Sequence, residues 1–168
     1  MSTKKHSEHP HLTGEHRWGD KGQLVLLVIF LGLWITDSFI FHYSTFLVEA
    51  VSNYIRVPIA GLTLLAGWYF ARKGMKAVFG TEREKPELIH TGVFALVRHP
   101  IYLGAILFYL GSSIITMSLA SGAFVLVIIA FYVVICKYEE RILKEAFGND
   151  YLEYKKKTGM LFPKLFAS

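Results

Sequence analysis

The sequence predicts an all-α integral membrane bundle of four transmembrane helices with a cytoplasmic C-terminal helical segment. Three observations predict it. The 168 residues are 53% hydrophobic and only 18% charged. The charges stand in blocks between long apolar runs rather than being spread over every segment, which is a membrane pattern. The lysines and arginines fall almost entirely on one side of those runs once the runs are folded back and forth.

Residues 1–22 are polar, carry His6, His9, His11 and His16, and read as a disordered tail. Clustered histidines can catch a metal ion, but a solvated tail is the simpler account, and no metal centre is predicted. A polar start also leaves no place for a cleavable signal peptide before the first apolar run. The single cysteine, Cys136, excludes an internal disulfide and a cysteine-based zinc cluster.

The remainder, residues 23–168, reads as one membrane domain. A helix rises ~1.5 Å per residue, so about 20 apolar residues cross the hydrocarbon layer. The first span is predicted over about residues 24–48, apolar except for Asp37 and His42. Ionisable residues inside a span face the bundle interior and serve either function or a structural hydrogen bond. The second span is predicted over about 57–79, where Gly61 and Gly67 would let a neighbouring helix come close. A polar loop from Gly80 to Pro100 leads to a third span over about 101–117. Ser118 to Gly122 makes a tight turn into a fourth span over about 119–138, so spans three and four form an antiparallel hairpin. Neither is generously long, and tilt or local thinning of the bilayer follows. Glu139, Glu140, Arg141, Lys144 and Glu145 then alternate with Ile142, Leu143, Ala146 and Phe147 at helical spacing. Cytoplasmic helices are predicted over 139–157, with a stop at Gly148.

Four spans with both termini cytoplasmic put seventeen of the eighteen lysines and arginines inside, and only Arg56 outside. That satisfies the positive-inside bias. It also accounts for the net charge of +5 without invoking nucleic acid.

The hairpin returns the chain to the face it left, so two polar clusters become neighbours. One is His90 to Phe94 and Arg98-His99-Pro100-Ile101-Tyr102 before and into span three; the other is Tyr138-Glu139-Glu140-Arg141 after span four. Arg98 and His99 can donate to a carboxylate or phosphate. Glu139 and Glu140 can accept from ribose hydroxyls. Tyr102, Tyr151 and Tyr154 offer faces suited to a planar base or an onium centre. The same residues would also serve as a basic and aromatic collar at the membrane surface.

The order of these residues resembles the isoprenylcysteine carboxyl methyltransferase family and its phospholipid and thiol methyltransferase relatives. The likeness rests on Leu88-Ile89, Gly92-Val93-Phe94, Arg98-His99-Pro100-Ile101-Tyr102-Leu103-Gly104, Glu139-Glu140, Leu143, Phe147-Gly148, Tyr151, Tyr154 and Pro163, across residues 80–164. It implies a helical membrane enzyme that transfers a methyl group from S-adenosylmethionine to a lipophilic or small membrane-partitioning acceptor. It implies cofactor binding by Glu87, Leu88, Ile89, Phe94, His99, Pro100, Ile101, Tyr102 and Glu139, with Arg98, His99 and Glu139 as the catalytic set. The chain has no glycine-rich strand–turn–helix fingerprint, in keeping with a family that lacks a Rossmann sheet. It departs from the family in having Phe94 where tyrosine is common, and Ile135 where some members place a substrate arginine. The nearest base is Lys137, which with Tyr151 and Tyr154 forms the candidate substrate-binding set. Two other readings of the chain are a non-catalytic membrane scaffold or transporter subunit, and a sterol-reductase-like enzyme using NADPH. The lipid bilayer and a lipophilic small molecule are the expected partners.

Overall fold

The computed structural model describes residues 19–80 and 87–164. The tail histidines and, in the polar loop, Arg83, Lys85 and Pro86 lie outside the described residues. The elements are α1 (Gly19–Ile35) with a π-helical extension (Thr36–Phe41), the single turn α2 (Leu47–Ala50), α3 (Asn53–Phe79), the single turn α4 (Val93–Leu96), α5 (Pro100–Thr116) and α6 (Leu119–Lys157). Among the described residues, strand pairing is limited to one parallel bridge, Val97 with Gly159.

Among the described residues, three helical stretches are long and apolar enough to cross a membrane: Lys21–Phe41, Asn53–Phe79 and the apolar part of Leu119–Lys157. Their outer faces carry Val28, Leu62, Leu65, Leu126 and Val134, each more than 60% exposed. A solvated surface of this kind would be unstable in water and suits lipid. The third predicted span, α5, is apolar but has only 17 residues, about 26 Å against ~30 Å of hydrocarbon.

The first span ends earlier than predicted, at Phe41 rather than Val48. His42 takes a left-handed conformation (φ 57°), and the chain folds back so that Ser44 reaches Asp37. The Asp37 carboxylate accepts from Ser44 N at 2.9 Å, Ser44 Oγ at 2.5 Å and Ser118 Oγ at 2.5 Å. Ser44 in turn accepts from the first amides of α6, Leu119 N and Ala120 N. Nearby, Trp34 Nε1 and Ser38 Oγ both donate to Thr116 Oγ1. Asp37 is therefore a structural fastener that joins the ends of α1, α5 and α6. The outlying Arg56 donates to Ile115 O, a carbonyl in the last turn of α5, at 3.0 Å, where the helix dipole favours a cation.

The most intimate packing joins α3 and α5, and small residues allow it. Ala60, Gly67 and Gly74 are buried on α3 at intervals of seven, facing Gly104 and Gly111 on α5. A Cβ placed on Gly104 would lie 2.7 Å from Gly67 O and 2.8 Å from Ala71 Cβ. Gly67 thus does what the sequence predicts. Gly61 does not, because nothing stands within 4 Å of a Cβ placed there.

The fourth span and the C-terminal helices are continuous. α6 runs unbroken past Lys137 for a total of 39 residues, and its only non-helical residue is Gly148 (φ 54°, ψ −121°). The predicted stop at Gly148 is real as a bend, while the helix resumes at once and turns Tyr151, Tyr154 and Lys155 back toward the start of α5.

Replacing Gly104 by Val should destabilise the detergent-solubilised protein by about 1–3 kcal/mol through overpacking against backbone. Gly61→Ala should be neutral or stabilising by up to ~1 kcal/mol. A thermal unfolding series on both variants checks this; equal midpoints would contradict the close seam.

Candidate active site

The chain enters α5 along a path set by two local devices. Gly92 (φ 62°, ψ −128°) starts the turn α4, in a conformation that a side chain would strain. Val97 to His99 is then extended, as expected for residues ahead of proline, and Pro100 occupies the first turn of α5. The extended piece is held by the segment after α6: Arg98 N donates to Gly159 O at 2.8 Å and His99 N to Met160 O at 3.2 Å.

Side chains complete the joint. The Arg98 guanidinium meets Glu140 Oε1 through Nε at 2.8 Å and Nη2 at 2.6 Å. Arg98 Nη1 also donates to Thr158 O, and Lys155 Nζ donates to Glu140 Oε2 at 2.7 Å. Arg98, His99 and Glu140 are all buried. The imidazole of His99 lies between two carboxylates, with Nδ1 3.4 Å from Glu139 Oε2 and Nε2 3.5 Å from Glu140 Oε1. Nε2 is buried without a hydrogen bond of good geometry. Tyr102 OH donates to Glu139 Oε1. The His99 and Tyr102 rings stack at 5.9 Å, and Tyr102 and Tyr132 at 5.1 Å.

Burial opposes charge on both partners, yet charge prevails. For Glu140, burial raises the pKa, but the neighbouring His99 ring, Lys155 and Arg98 more than offset it and bring the carboxyl down to about 2. For His99, burial lowers the pKa, but contacts with Cys136, Glu139 and Glu140 outweigh it and hold the imidazole well above its usual value. The site is an imidazole held between two carboxylates, beside a stack of aromatic faces.

The structure thus brings together Arg98, His99, Tyr102 and Glu139. Pro100 and Ile101 turn the other way, their side chains lying over Gly74 of α3. Phe94 is half-buried, and its carbonyl accepts from Tyr154 OH at 2.7 Å. Glu87 is exposed, and Leu88 and Ile89 are half-buried in the loop before α4, where His90 packs 6.4 Å from the Tyr154 ring. Lys137 is exposed on α6. Tyr151 and Tyr154 are both buried beneath the ion-pair network, because the bend at Gly148 folds them inward. Sequence reasoning missed the central place of Glu140, and it missed Tyr132, Lys155 and the returning segment 158–160. One signal was available: Tyr132, Cys136 and Glu140 recur at intervals of four and form one row along α6, with Glu139 beside it.

Arg98→Ala or Glu140→Ala removes the main partner of a buried charge and should cost about 3–5 kcal/mol at most, since Lys155 still meets Glu140 and Thr158 O still meets Arg98. Stability should also respond to pH at both ends. The Glu140 contribution is complete above the ordinary carboxylate range and is lost as pH falls from ~4.5 toward 2. The His99 contribution is complete below its ordinary value of 6.5 and is lost as pH rises through its raised folded value. Unfolding midpoints measured from acid to alkaline pH check both, and His99→Gln should abolish the alkaline limb while the acid limb persists through Arg98 and Lys155.

The sequence profile of the phospholipid methyltransferase family matches residues 59–150, more than half of the chain. Protein-S-isoprenylcysteine O-methyltransferase of Saccharomyces cerevisiae is 26% identical over 138 residues, covering 77% of this chain and 58% of that protein. Methanethiol S-methyltransferase 2 of Bradyrhizobium diazoefficiens is 32% identical over 96 residues, covering 57% of this chain and 36% of that protein. The solved structure of the eukaryotic intramembrane Ras methyltransferase, isoprenylcysteine carboxyl methyltransferase, superposes with a TM-score of 0.64 at 20% identity, over 85% of this chain and 52% of that one. The chain thus spans little more than half the length of the first of these relatives, and it shares the fold of the solved one. With a helical membrane core and the family profile covering α3 to the bend of α6, the chain belongs to the phospholipid methyltransferase family.

Proposed function

We propose that the chain is a membrane methyltransferase that uses S-adenosylmethionine and acts on a lipophilic or small membrane-partitioning acceptor of the isoprenylcysteine, lipid or thiol type. The observation that carries the reading is the convergence of His99 and Tyr102 from α5 with Glu139 from α6 at the polar end of the hairpin. In this reading α5 is a fourth span, both termini are cytoplasmic, residues 1–22 are a tail, and the site opens to the cytosol.

The residues present suit such a cofactor. Glu139 is a half-buried carboxylate able to accept from ribose hydroxyls. The stacked faces of Tyr102 and Tyr132 suit a planar base or a sulfonium. The buried Nε2 of His99 is a donor whose hydrogen bond is still to be made. The bound cofactor would supply an electrophilic methyl group. The protein's part is to hold and align an acceptor beside it, and positioning of this kind is worth roughly 7–11 kcal/mol. Arg98 and Glu140 act one step back, fixing the backbone of His99 and the orientation of its ring. Apolar and aromatic walls exclude water from a charge that disperses as the methyl group moves. Leu88, Ile89 and Phe94 line the approach, and Lys137 is the base nearest the mouth for an anionic acceptor.

His99→Ala and Glu139→Ala should each weaken S-adenosylmethionine binding at least tenfold, about 1.4 kcal/mol, while the solubilised protein stays folded. Calorimetric titration of the purified protein checks this. Unchanged affinity in both variants, or binding of NADPH in place of S-adenosylmethionine, would sink the proposal.

A further inference from the structure

A second polar feature stands outside the His99–Tyr102 site. Lys137, Arg141 and Lys144 follow one another at intervals of four and three, which places them on one face of α6. The bend at Gly148 brings Tyr151, Leu152 and Lys155 against that face. Together with Glu140 these residues line a cleft of about 210 Å³. Four cations thus surround an opening whose one acidic lining residue, Glu140, is already shared by Arg98 and Lys155. Among the described residues Arg141 is held by Glu145 alone, in a pair that is 81% and 68% exposed, and such pairs exchange readily for a better partner.

Two further observations bear on what the cleft would hold. Tyr151 is 1% exposed, and its hydroxyl makes no hydrogen bond of good geometry. It is a buried donor that lines the cleft without an acceptor, and an anionic oxygen would satisfy it. The second is depth. Apolar sequence on α6 ends at Cys136, so at ~1.5 Å per residue Lys137 and Arg141 stand within about 8 Å of the hydrocarbon edge. That is the thickness of the headgroup layer.

We propose that this cleft is a binding site for a phosphate group at the membrane surface, taken from the headgroup of an anionic phospholipid. Arg141 and Lys144 supply most of the exposed charge, Lys137 the side nearest the lipid, and Tyr151 a hydroxyl donor from below. The charged rim of the site is separate from the methyl donor's residues, since neither Arg141 nor Lys144 is among those assigned to it.

Native mass spectrometry of the detergent-purified full chain, mixed with equal phosphatidylglycerol and phosphatidylcholine, tests the assignment. Phosphatidylglycerol should be retained at least fivefold over phosphatidylcholine. The preference should disappear in the Arg141→Gln, Lys144→Gln double variant and fall in Tyr151→Phe, which keeps the ring. Loss of the retained lipid on adding millimolar inorganic phosphate would assign recognition to the phosphate itself; retention in its presence would assign it to the whole headgroup, and both support the site. Equal retention of the two lipids by the unaltered chain, or unchanged retention in either variant, overturns it. S-adenosylmethionine affinity of the double variant, measured in parallel, should equal that of the unaltered chain, so failure of the cofactor reading is seen separately.

Discussion

Arg98 and Glu140 form the constraint on which the polar end of the molecule depends. One stands at the entrance to α5 and the other more than five turns along α6. Removing such charges from water is expensive, and the cost is recovered only because each finds several partners. Arg98 is divided between Glu140 and the carbonyl of Thr158, and Glu140 between Arg98, Lys155 and the His99 ring. The pair therefore joins three pieces of chain that the sequence separates widely. With the guanidinium anchored, the backbone at 98–99 is held against Gly159 and Met160, and His99 can point only toward the carboxylates.

The arrangement divides labour within neighbouring residues. Arg98 fastens while His99 faces the site; Glu140 fastens while Glu139 keeps one oxygen with Tyr102 and the other near His99. The two halves of each dipeptide point to different sides, as consecutive residues on an extended strand or a helix must. Loss of the fastening residue would release the facing one without touching it. The far end of the bundle is fastened by the same logic on a smaller scale, with Asp37 bonded to Ser44 and Ser118.

Much of this was legible in the sequence for reasons that are local. Apolar length revealed the long helices, Gly148 marked a break that the structure makes a bend rather than a stop, and the hairpin brought the RHPIY run and the paired glutamates together. What was not legible depended on contacts between distant residues. Nothing in the run from Leu24 to Val48 announces that Ser44 will return to Asp37 and end the helix at Phe41. Gly61 and Gly67 look alike in sequence, and only the direction from which α5 approaches distinguishes them. Glu139 and Glu140 are the same chemically, and their different roles follow from 100° of helical rotation. Tyr151 and Tyr154 read as faces for a planar base or a substrate, and their burial was not legible because the inward fold after Gly148 is a tertiary event.

The shortness of α5 has a mechanical consequence. Its 17 residues are clamped at one end by Arg98 and at the other by Arg56 and the Thr116 hydroxyl, so the helix cannot slide along its neighbours. With α5 as the fourth span of the proposed reading, the helix would fix the separation of the two polar layers like a caliper set below the thickness of an ordinary bilayer. Lipid around this face would thin to meet it. The polar end of the hairpin would then sit in a dimple, with headgroups drawn down toward the level of His99.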